Sequence, residues 1–255
     1  AIIRRMPAVE TLGAVTTICS DKTGTLTKNE MTVQRLAVVD RLIEVSGVGY
    51  APHGGFTAND RYIDPAELVD IARIALLCND AVLRDTEGEW KLEGDPTEGA
   101  LLTLALKAGL DPRFQAETLP RIDVIPFESE HRFMATLHHD HAGHAFTFVK
   151  GAPERVIGMC AKQRTNGEDK TIDPSLWQAR IDELAAQGFR VLALATAPME
   201  KGKRELAFAD VESGLTLLAL AGIMDPPREE AIRAVAACHS AGIRVKMITG
   251  DHAVT

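Results

Sequence analysis

The first residues able to do chemistry lie in residues 18–27, which read ICSDKTGTLT. Asp21 follows an apolar run, and Lys22, Thr23 and Gly24 follow it directly. A carboxylate can act as a nucleophile toward a phosphoryl group, a reaction that needs placement and charge neutralisation more than acid–base help. Lys22 supplies positive charge, and backbone N–H groups around Thr23 and Gly24 can cradle phosphate oxygens. The stretch therefore predicts phosphoryl transfer, whereas a lone Asp here would more simply be an N-cap before a turn.

A strand must hold this turn in place, and residues 14–20, AVTTICS, predict a short buried one. Residues 225–242 predict a helix that begins after paired prolines and ends at a glycine, and residues 243–248 predict a second strand. This arrangement is typical of a parallel α/β sheet, in which ligands bind at the carboxyl ends of the strands. We therefore expect Asp21 to meet Thr249 at one sheet edge.

The residues between these ends carry a different pattern. It predicts strands near residues 36–46, 88–93, 121–127, 133–139, 145–150, 189–196 and 215–223, and helices over 65–77, 96–108, 153–161 and 174–187. A proline at the start of each helix fits, since its missing N–H costs nothing there. Hairpins with helices between them indicate a mostly antiparallel α+β domain inserted into the α/β domain.

Composition excludes several classes of protein. The net charge of -8 argues against a nucleic-acid partner, which needs a basic face. No apolar run approaches the roughly 18 residues of a membrane span, and no signal segment opens the sequence. The four cysteines have no CxxC spacing, so we expect free thiols rather than zinc ligands or disulfides. Because the sequence starts without methionine and stops after a strand and turn, we expect a segment of a longer protein.

Histidines crowd around the hairpin predicted over residues 133–150. They are His131, His138, His139, His141 and His144. A metal site needs ligands that converge on one point, but neighbouring strand residues face opposite ways. We interpret the histidines as solvated rather than as metal ligands.

The string DKTGTLT, residues 21–27, resembles the phosphorylation motif of the P-type ATPases, which belong to the haloacid dehalogenase superfamily. The chain is similar to the large cytoplasmic loop of the type II group, which includes calcium and sodium/potassium pumps. The resemblance implies an α/β fold: a partial haloacid-dehalogenase-like, Rossmann-like parallel sheet with an inserted α+β nucleotide-binding domain on an antiparallel sheet. It implies that Asp21 accepts the phosphate, and that its carboxylate and the Thr23 backbone carbonyl hold Mg2+. Phosphatases of the superfamily carry an acid/base Asp where Thr23 stands, so the acyl phosphate should be long-lived.

Further motifs resemble the nucleotide site of the same family. FVKGAPE, residues 148–154, resembles the KGAPE motif and places Lys150 and Gly151 beside the nucleotide. IPFESEHRFM, residues 125–134, resembles the segment whose Phe, here Phe127, stacks on adenine. In that segment Ser129 stands where relatives often have Arg, and Arg132 stands where they often have Lys.

The remaining motifs complete the implied site. GDPTEGALL, residues 94–102, places Glu98 against the adenine amino group, and GFRVLALA, residues 188–195, places Arg190 near the phosphates. DPPR, residues 225–228, resembles the family hinge, with Asp225 and Arg228 near the phosphates. TGD matches the phosphate-binding residues of the superfamily, here Thr249, Gly250 and Asp251. The implied domains are residues 1–30 and 227–255, two parts of a phosphorylation domain, and 31–226, a nucleotide-binding domain.

The resemblance implies ATP hydrolysis through an aspartyl phosphate at Asp21, coupled in the full protein to transport of a cation. The segment would lie on the cytoplasmic side of the cell membrane, attached to transmembrane helices outside it. A soluble phosphatase with a large cap and an isolated nucleotide-binding module stay open as alternatives. The family motif GDGxND, which supplies another Mg2+ carboxylate, is absent from residues 1–255, so we expect this segment to be inactive alone. The lack of GxxxxGKS/T excludes a P-loop kinase.

Overall fold

The computed structural model describes residues 14–248, which fold into two compact units. The larger unit comprises residues 31–224, and the described part of the smaller unit comprises residues 14–30 and 225–248. The chain thus leaves the smaller unit once, builds the larger one, and returns.

The elements follow one another as a mixed α/β chain. The strands are β1 (Thr17–Asp21), β2 (Thr32–Ala37), β3 (Leu42–Val45), β4 (Phe56–Ala58), β5 (Arg61–Tyr62), β6 (Val82–Thr86), β7 (Glu89–Glu93), β8 (Arg121–Ile125), β9 (Phe133–His139), β10 (Ala145–Gly151), β11 (Cys160–Thr165), β12 (Glu168–Thr171), β13 (Arg190–Met199), β14 (Leu215–Met224) and β15 (Arg244–Ile248). The α-helices are α1 (Val69–Leu77), α2 (Pro96–Lys107), α3 (Pro112–Thr118), α4 (Pro153–Met159), α5 (Pro174–Ala186) and α6 (Glu229–Ser240). Single turns of 3-10 helix span Pro65–Leu68 and Phe208–Asp210, and a π-helical turn spans Lys22–Leu26.

An eleven-stranded sheet organises the larger unit, in the order β5-β4-β3-β2-β14-β13-β10-β9-β8 with β11 and β12 alongside. Its pairings are antiparallel except for that of β11 with β14. The first and last strands of the unit, β2 and β14, are direct partners, with Thr32 opposite Met224. The predicted antiparallel α+β architecture is confirmed.

The sheet carries an apolar core on each face, because successive strand residues point to opposite sides. On β9, Met134 packs in the cluster that contains α1 and α2, whereas Phe133 and Ala135 pack in the cluster with α4 and α5. Trp177 of α5 is fully buried there and donates its indole N–H to Gln163. The unit is thus a sheet covered on both faces.

Four helical segments of the larger unit begin at Asp-Pro pairs, whereas α4 begins at Ala152-Pro153. The carboxylates of Asp64, Asp95, Asp111 and Asp173 accept hydrogen bonds from backbone N–H groups of the first helical turn that follows each. The proline at the next position has no N–H to leave unsatisfied. These pairs explain why helical segments begin at the predicted positions 65, 96 and 174. A further pair, Asp111-Pro112, begins α3, which the sequence analysis did not predict.

Several predicted elements differ from the observed ones. The strand predicted over residues 36–46 is a hairpin, β2 and β3, because a turn closes with the Val38 N–H donating to the Arg41 carbonyl. The helix predicted over residues 65–77 is a 3-10 turn followed by α1. The sequence analysis also missed β4, β5, β6, β11 and β12.

In the smaller unit, β1 and β15 pair in parallel, with Asp21 opposite Ile248, and α6 precedes β15. The prediction that the first strand is buried is wrong for the described residues: in β1, Ile18 is 38% exposed and Cys19 is exposed as well. The physical reason is that, among the described strands, β1 has β15 as its sole neighbour, and α6 buries none of its residues.

The interpretation of the histidines as solvated is wrong for His138. This side chain is buried, with Nδ1 at 2.9 Å from the Leu119 carbonyl oxygen and Nε2 at 2.9 Å from the Thr136 hydroxyl. His144 is exposed and pairs with Asp140 at the hairpin tip. No group of His, Cys, Asp or Glu within residues 14–248 is placed to hold a metal ion.

Burial lowers the pKa of His138 from 6.5 to about 4. Between these values the unfolded chain binds a proton that the folded chain does not, so stability decreases as pH falls from about 6.5 to about 4. We expect this residue to account for about 3 kcal/mol of that loss. Urea denaturation at pH 7 and pH 4.5 measures it: His138→Gln should show a smaller loss than the parent chain, and the exposed His141→Gln the same loss. Equal pH dependence in all three proteins would contradict the assignment.

Candidate functional site

A cavity of about 710 Å³ opens in the larger unit, where α2, β10 and β13 face the loop after β8. Six residues predicted to bind nucleotide line it: Glu98, Phe127, Arg132, Lys150, Gly151 and Arg190. They come from separate stretches of the chain, and the sheet brings them together. The volume is in the range that accommodates a small organic ligand or cofactor.

A largely buried ion pair lines this cavity. Lys150 on β10 donates from Nζ to Oε1 of Glu98 in the first turn of α2, at 2.5 Å, and the two side chains are 7% and 18% exposed. The backbone N–H of Asp80 donates to the same oxygen at 3.4 Å. Within the described part of the chain, Oε2 of Glu98 accepts no hydrogen bond and is therefore available to a donor on a ligand.

Phe127 presents an uncovered aromatic ring to the cavity. It follows β8 and Pro126, and 59% of its surface is exposed. An apolar ring that the core leaves uncovered in a cavity wall offers a π-face to a planar ligand.

Arg132 and Gly151 shape the wall opposite α2. Arg132 has a φ of 59°, a left-handed conformation rare for a side chain of this size. Its backbone carbonyl accepts a hydrogen bond from the Ala152 N–H, and its guanidinium donates to Glu154 at 3.0 Å. A Cβ at position 151 would lie 2.5 Å from the Arg132 carbonyl oxygen, so only glycine fits. Gly151 therefore allows its strand to pass close to the backbone of Arg132, which helps to fix the position of Arg132 in the cavity wall.

Polar residues that the sequence analysis missed also line the cavity: Asp80, Asp95, Thr97 and Glu154. Thr97 accepts a hydrogen bond from the Arg190 guanidinium at 3.1 Å. The Asp-Pro helix signal could have located Asp95, whereas nothing in the local sequence marks Asp80.

The predicted acceptor, Asp21, lies in the smaller unit at the end of β1. It precedes the π-helical turn, yet its side chain makes no capping hydrogen bond, which disfavours the N-cap interpretation. The carboxylate is exposed and has no hydrogen-bond or ion-pair partner among the described residues. Lys22 is the first residue of the π-helical turn. Thr249, Gly250, Asp251 and the Thr23 side chain lie outside the described part of the structure.

Asp225 and Arg228 do not line the cavity; they secure the turn after Asp21. The Thr27 hydroxyl donates to the Asp225 carboxylate at 2.5 Å. Arg228 donates from Nε to the Thr27 carbonyl at 2.9 Å and from Nη2 to the Gly24 carbonyl at 3.3 Å. The two residues thus fix the shape of the DKTGTLT segment.

Comparison with known proteins decides the family. The family model for P-type ATPase, cytoplasmic domain N, matches residues 67–230. The chain belongs to this family. The resemblance inferred from DKTGTLT and KGAPE is confirmed.

Relatives of this chain are named as cation-transporting or calcium-transporting ATPases. The whole chain is 46% identical to the cation-transporting ATPase pma1 of Synechocystis sp. and 37% identical to a calcium-transporting ATPase of Bacillus subtilis. Over 98% of its length it is 40% identical to the human calcium-transporting ATPase type 2C member 1. The chain spans 29%, 29% and 26% of these proteins, respectively. None of the helices described in the structure is long and apolar enough to cross a membrane.

The buried pair in this N domain should be strongly coupled. Lys150→Met leaves the Glu98 carboxylate buried without its cation, which should cost about 3–5 kcal/mol of unfolding free energy. Combining it with Glu98→Gln should recover much of that loss, as measured by a urea double-mutant cycle. The control cycle uses Arg84→Met and Glu93→Gln, an exposed pair at 2.9 Å, where coupling should stay below about 1 kcal/mol. Equal coupling in both cycles would show that burial adds nothing to the Lys150–Glu98 interaction.

Proposed function

We propose that the cavity binds ATP and that the chain is the nucleotide-binding and phosphorylation segment of a cation-transporting P-type ATPase. The observation that carries the proposal is the convergence of an uncovered ring, a free carboxylate oxygen and three cations on one cavity. The relatives, which are named cation-transporting or calcium-transporting ATPases, support the same assignment.

Adenine fits the end of the cavity that contains Phe127 and Glu98. The Phe127 ring offers a stacking surface, and base–aromatic stacking is worth about 1–3 kcal/mol. Oε2 of Glu98 faces no described donor, so it would accept from the adenine amino group. Lys150 holds the other carboxylate oxygen and restrains the Glu98 side chain.

The phosphates fit the cationic part of the same cavity. Arg132 and Arg190 each present a guanidinium, whose fork of N–H donors matches phosphate oxygens. Glu154 holds one guanidinium and Thr97 the other, so both are oriented before the ligand arrives. The carboxylates of Asp80, Asp95 and Glu154 also line the cavity and lower its affinity for anions, which is compatible with reversible binding of phosphates.

In the proposed reaction, a carboxylate oxygen of Asp21 attacks the terminal phosphorus of ATP. The bond between that phosphorus and the bridging oxygen breaks, an acyl phosphate forms on Asp21, and ADP leaves. The exposed carboxylate fits a Mg2+ site, because Mg2+ is commonly bound through one or two carboxylates with waters and substrate phosphates. When bound, Mg2+ would offset the charge of the transferring phosphoryl group. Lys22, Thr249 and Asp251 are proposed to assist there, and Asp225 and Arg228 to hold the turn that aims Asp21.

The proposed domains are a haloacid-dehalogenase-like phosphorylation domain, residues 1–30 and 227–255, and a nucleotide-binding domain, residues 31–226. The parallel pairing of β1 with β15 supports the first, and the antiparallel sheet supports the second. The full protein would act at the cell membrane, with this segment on the cytoplasmic side and a cation as cargo. A soluble phosphatase is disfavoured by Thr23, which replaces the acid/base of such enzymes.

Phe127→Ala should weaken ATP binding about 5- to 150-fold, the equivalent of about 1–3 kcal/mol of lost stacking. Calorimetric titration of the 255-residue chain measures it. Phe114→Ala is the matched control, since that ring is 62% exposed on α3 and does not line the cavity. An unchanged dissociation constant in Phe127→Ala would remove the support for adenine at this position.

Asp21→Asn should abolish phosphorylation and leave ATP affinity within twofold, because all residues that line the cavity belong to the larger unit. The longer protein is incubated with γ-labelled ATP and Mg2+, and acid-stable, hydroxylamine-sensitive label is counted. Asp40→Asn, an exposed acid elsewhere, should label normally. Label that persists in Asp21→Asn would assign the acceptor to another residue.

A further inference from the structure

Arg121 does not line the cavity, but its ion-pair partner Asp80 does. Arg121 lies at the start of β8 and reaches the end of α1, where the last helical carbonyls lack partners within the helix. Its Nη2 donates to the carbonyls of Leu77 and Asn79, and its Nη1 donates to the Asp80 carboxylate at 2.6 Å. One guanidinium thus holds two backbone carbonyls and one carboxylate, at the end of α1 and in the turn that follows it.

This turn is also tied to the helix that carries Glu98. The buried amide of Asn79 donates to the carbonyls of Ala75 and Glu98, both at 3.0 Å, and accepts from the Ala81 N–H. The Asp80 N–H then meets Oε1 of Glu98. Arg121 and Glu98 are therefore connected through a single backbone turn, and each contact in the series is a direct hydrogen bond.

The two contacts to Glu98 engage the same oxygen. The Lys150 ammonium and the Asp80 N–H both approach Oε1, and Oε2 has no hydrogen-bond partner among the described residues. Lys150 alone would leave the carboxylate free to rotate about its Cγ–Cδ bond, because an ammonium is a point charge without a preferred plane. The Asp80 N–H supplies the second, directional contact.

We propose that Arg121 is a positioning residue that sets the selectivity of the site for an adenine base over a 6-oxopurine. The inference rests on the proposed function, in which Glu98 accepts from the adenine amino group. Arg121 holds Asp80 so that its N–H fixes the orientation of Glu98. An amino group donates to the fixed Oε2, whereas the carbonyl oxygen of hypoxanthine in the same place repels it.

Selectivity is measured as the ratio of the dissociation constants of ITP and ATP, which differ at this position of the base. We expect the 255-residue chain to prefer ATP by about tenfold, the equivalent of one hydrogen bond to a charged acceptor. In Arg121→Gln the ratio should fall to within about threefold of unity, through weaker ATP binding and with ITP binding unchanged. Arg121→Lys, which keeps the charge but not the fork, should be intermediate.

Matched variants separate positioning from general destabilisation. Arg84→Gln removes an exposed arginine that pairs with Glu93 and should keep the parent ratio. Asp80→Asn keeps the backbone N–H but removes the carboxylate that Arg121 holds, so it should lower the ratio even if Arg121→Gln fails to fold. Amide hydrogen exchange at Asp80, measured without nucleotide, should be faster in both the Arg121→Gln and Asp80→Asn proteins.

Glu98→Gln distinguishes failure of this inference from failure of the proposed function. If Glu98→Gln loses the preference for ATP while folded Arg121→Gln and Asp80→Asn keep it, Arg121 is a structural residue only and the inference is overturned. Equal weakening of ATP and ITP in those two variants leads to the same conclusion. If Glu98→Gln keeps the preference for ATP, the contact between Glu98 and the base is itself wrong, and the role of Arg121 falls with it.

Discussion

The geometry of the cavity depends on one buried ion pair, Lys150 with Glu98. Lys150 comes from the middle of the sheet and Glu98 from the first turn of a helix above it, so the pair fixes the helix to the sheet at the point where a ligand would enter. Both charges have given up most of their hydration, which makes removal of either one costly. A site built around such a pair keeps its shape without a ligand, and a ligand that binds a preformed site loses less entropy on ordering it.

The residues of the cavity that could be predicted from the sequence are those whose local structure depends on neighbours close in the chain. Lys150 and Gly151 lie in one motif, and Glu98 follows an Asp-Pro helix start. Phe127 lies just after β8, a strand that was predicted over residues 121–127 and that ends at Ile125. In each of these cases local chemistry decides the structure, because the capping carboxylate, the tight glycine contact and the strand end all lie within a few residues of the functional group.

Other parts depended on contacts between distant residues and could not be predicted. Arg121 and Asp80 are 41 positions apart, and no local pattern announces their pairing. The burial of His138 depends on a contact with the carbonyl of Leu119, which follows α3, a helix that the sequence analysis did not predict. The exposure of β1 has a similar origin: a strand of apolar, β-branched residues predicts burial only if layers cover it, and α6 covers little of it.

The pairing of β2 with β14 has a consequence for the history of the chain. The two ends of the larger unit are hydrogen-bonded neighbours, with Thr32 opposite Met224. A unit whose entry and exit strands are neighbours needs only a short separation between the two residues that flank it, which is the condition under which domain insertions are tolerated. The sheet of the larger unit can therefore gain strands, lose strands or change its loops during evolution while the distance between its two ends stays the same, because β2 and β14 remain paired.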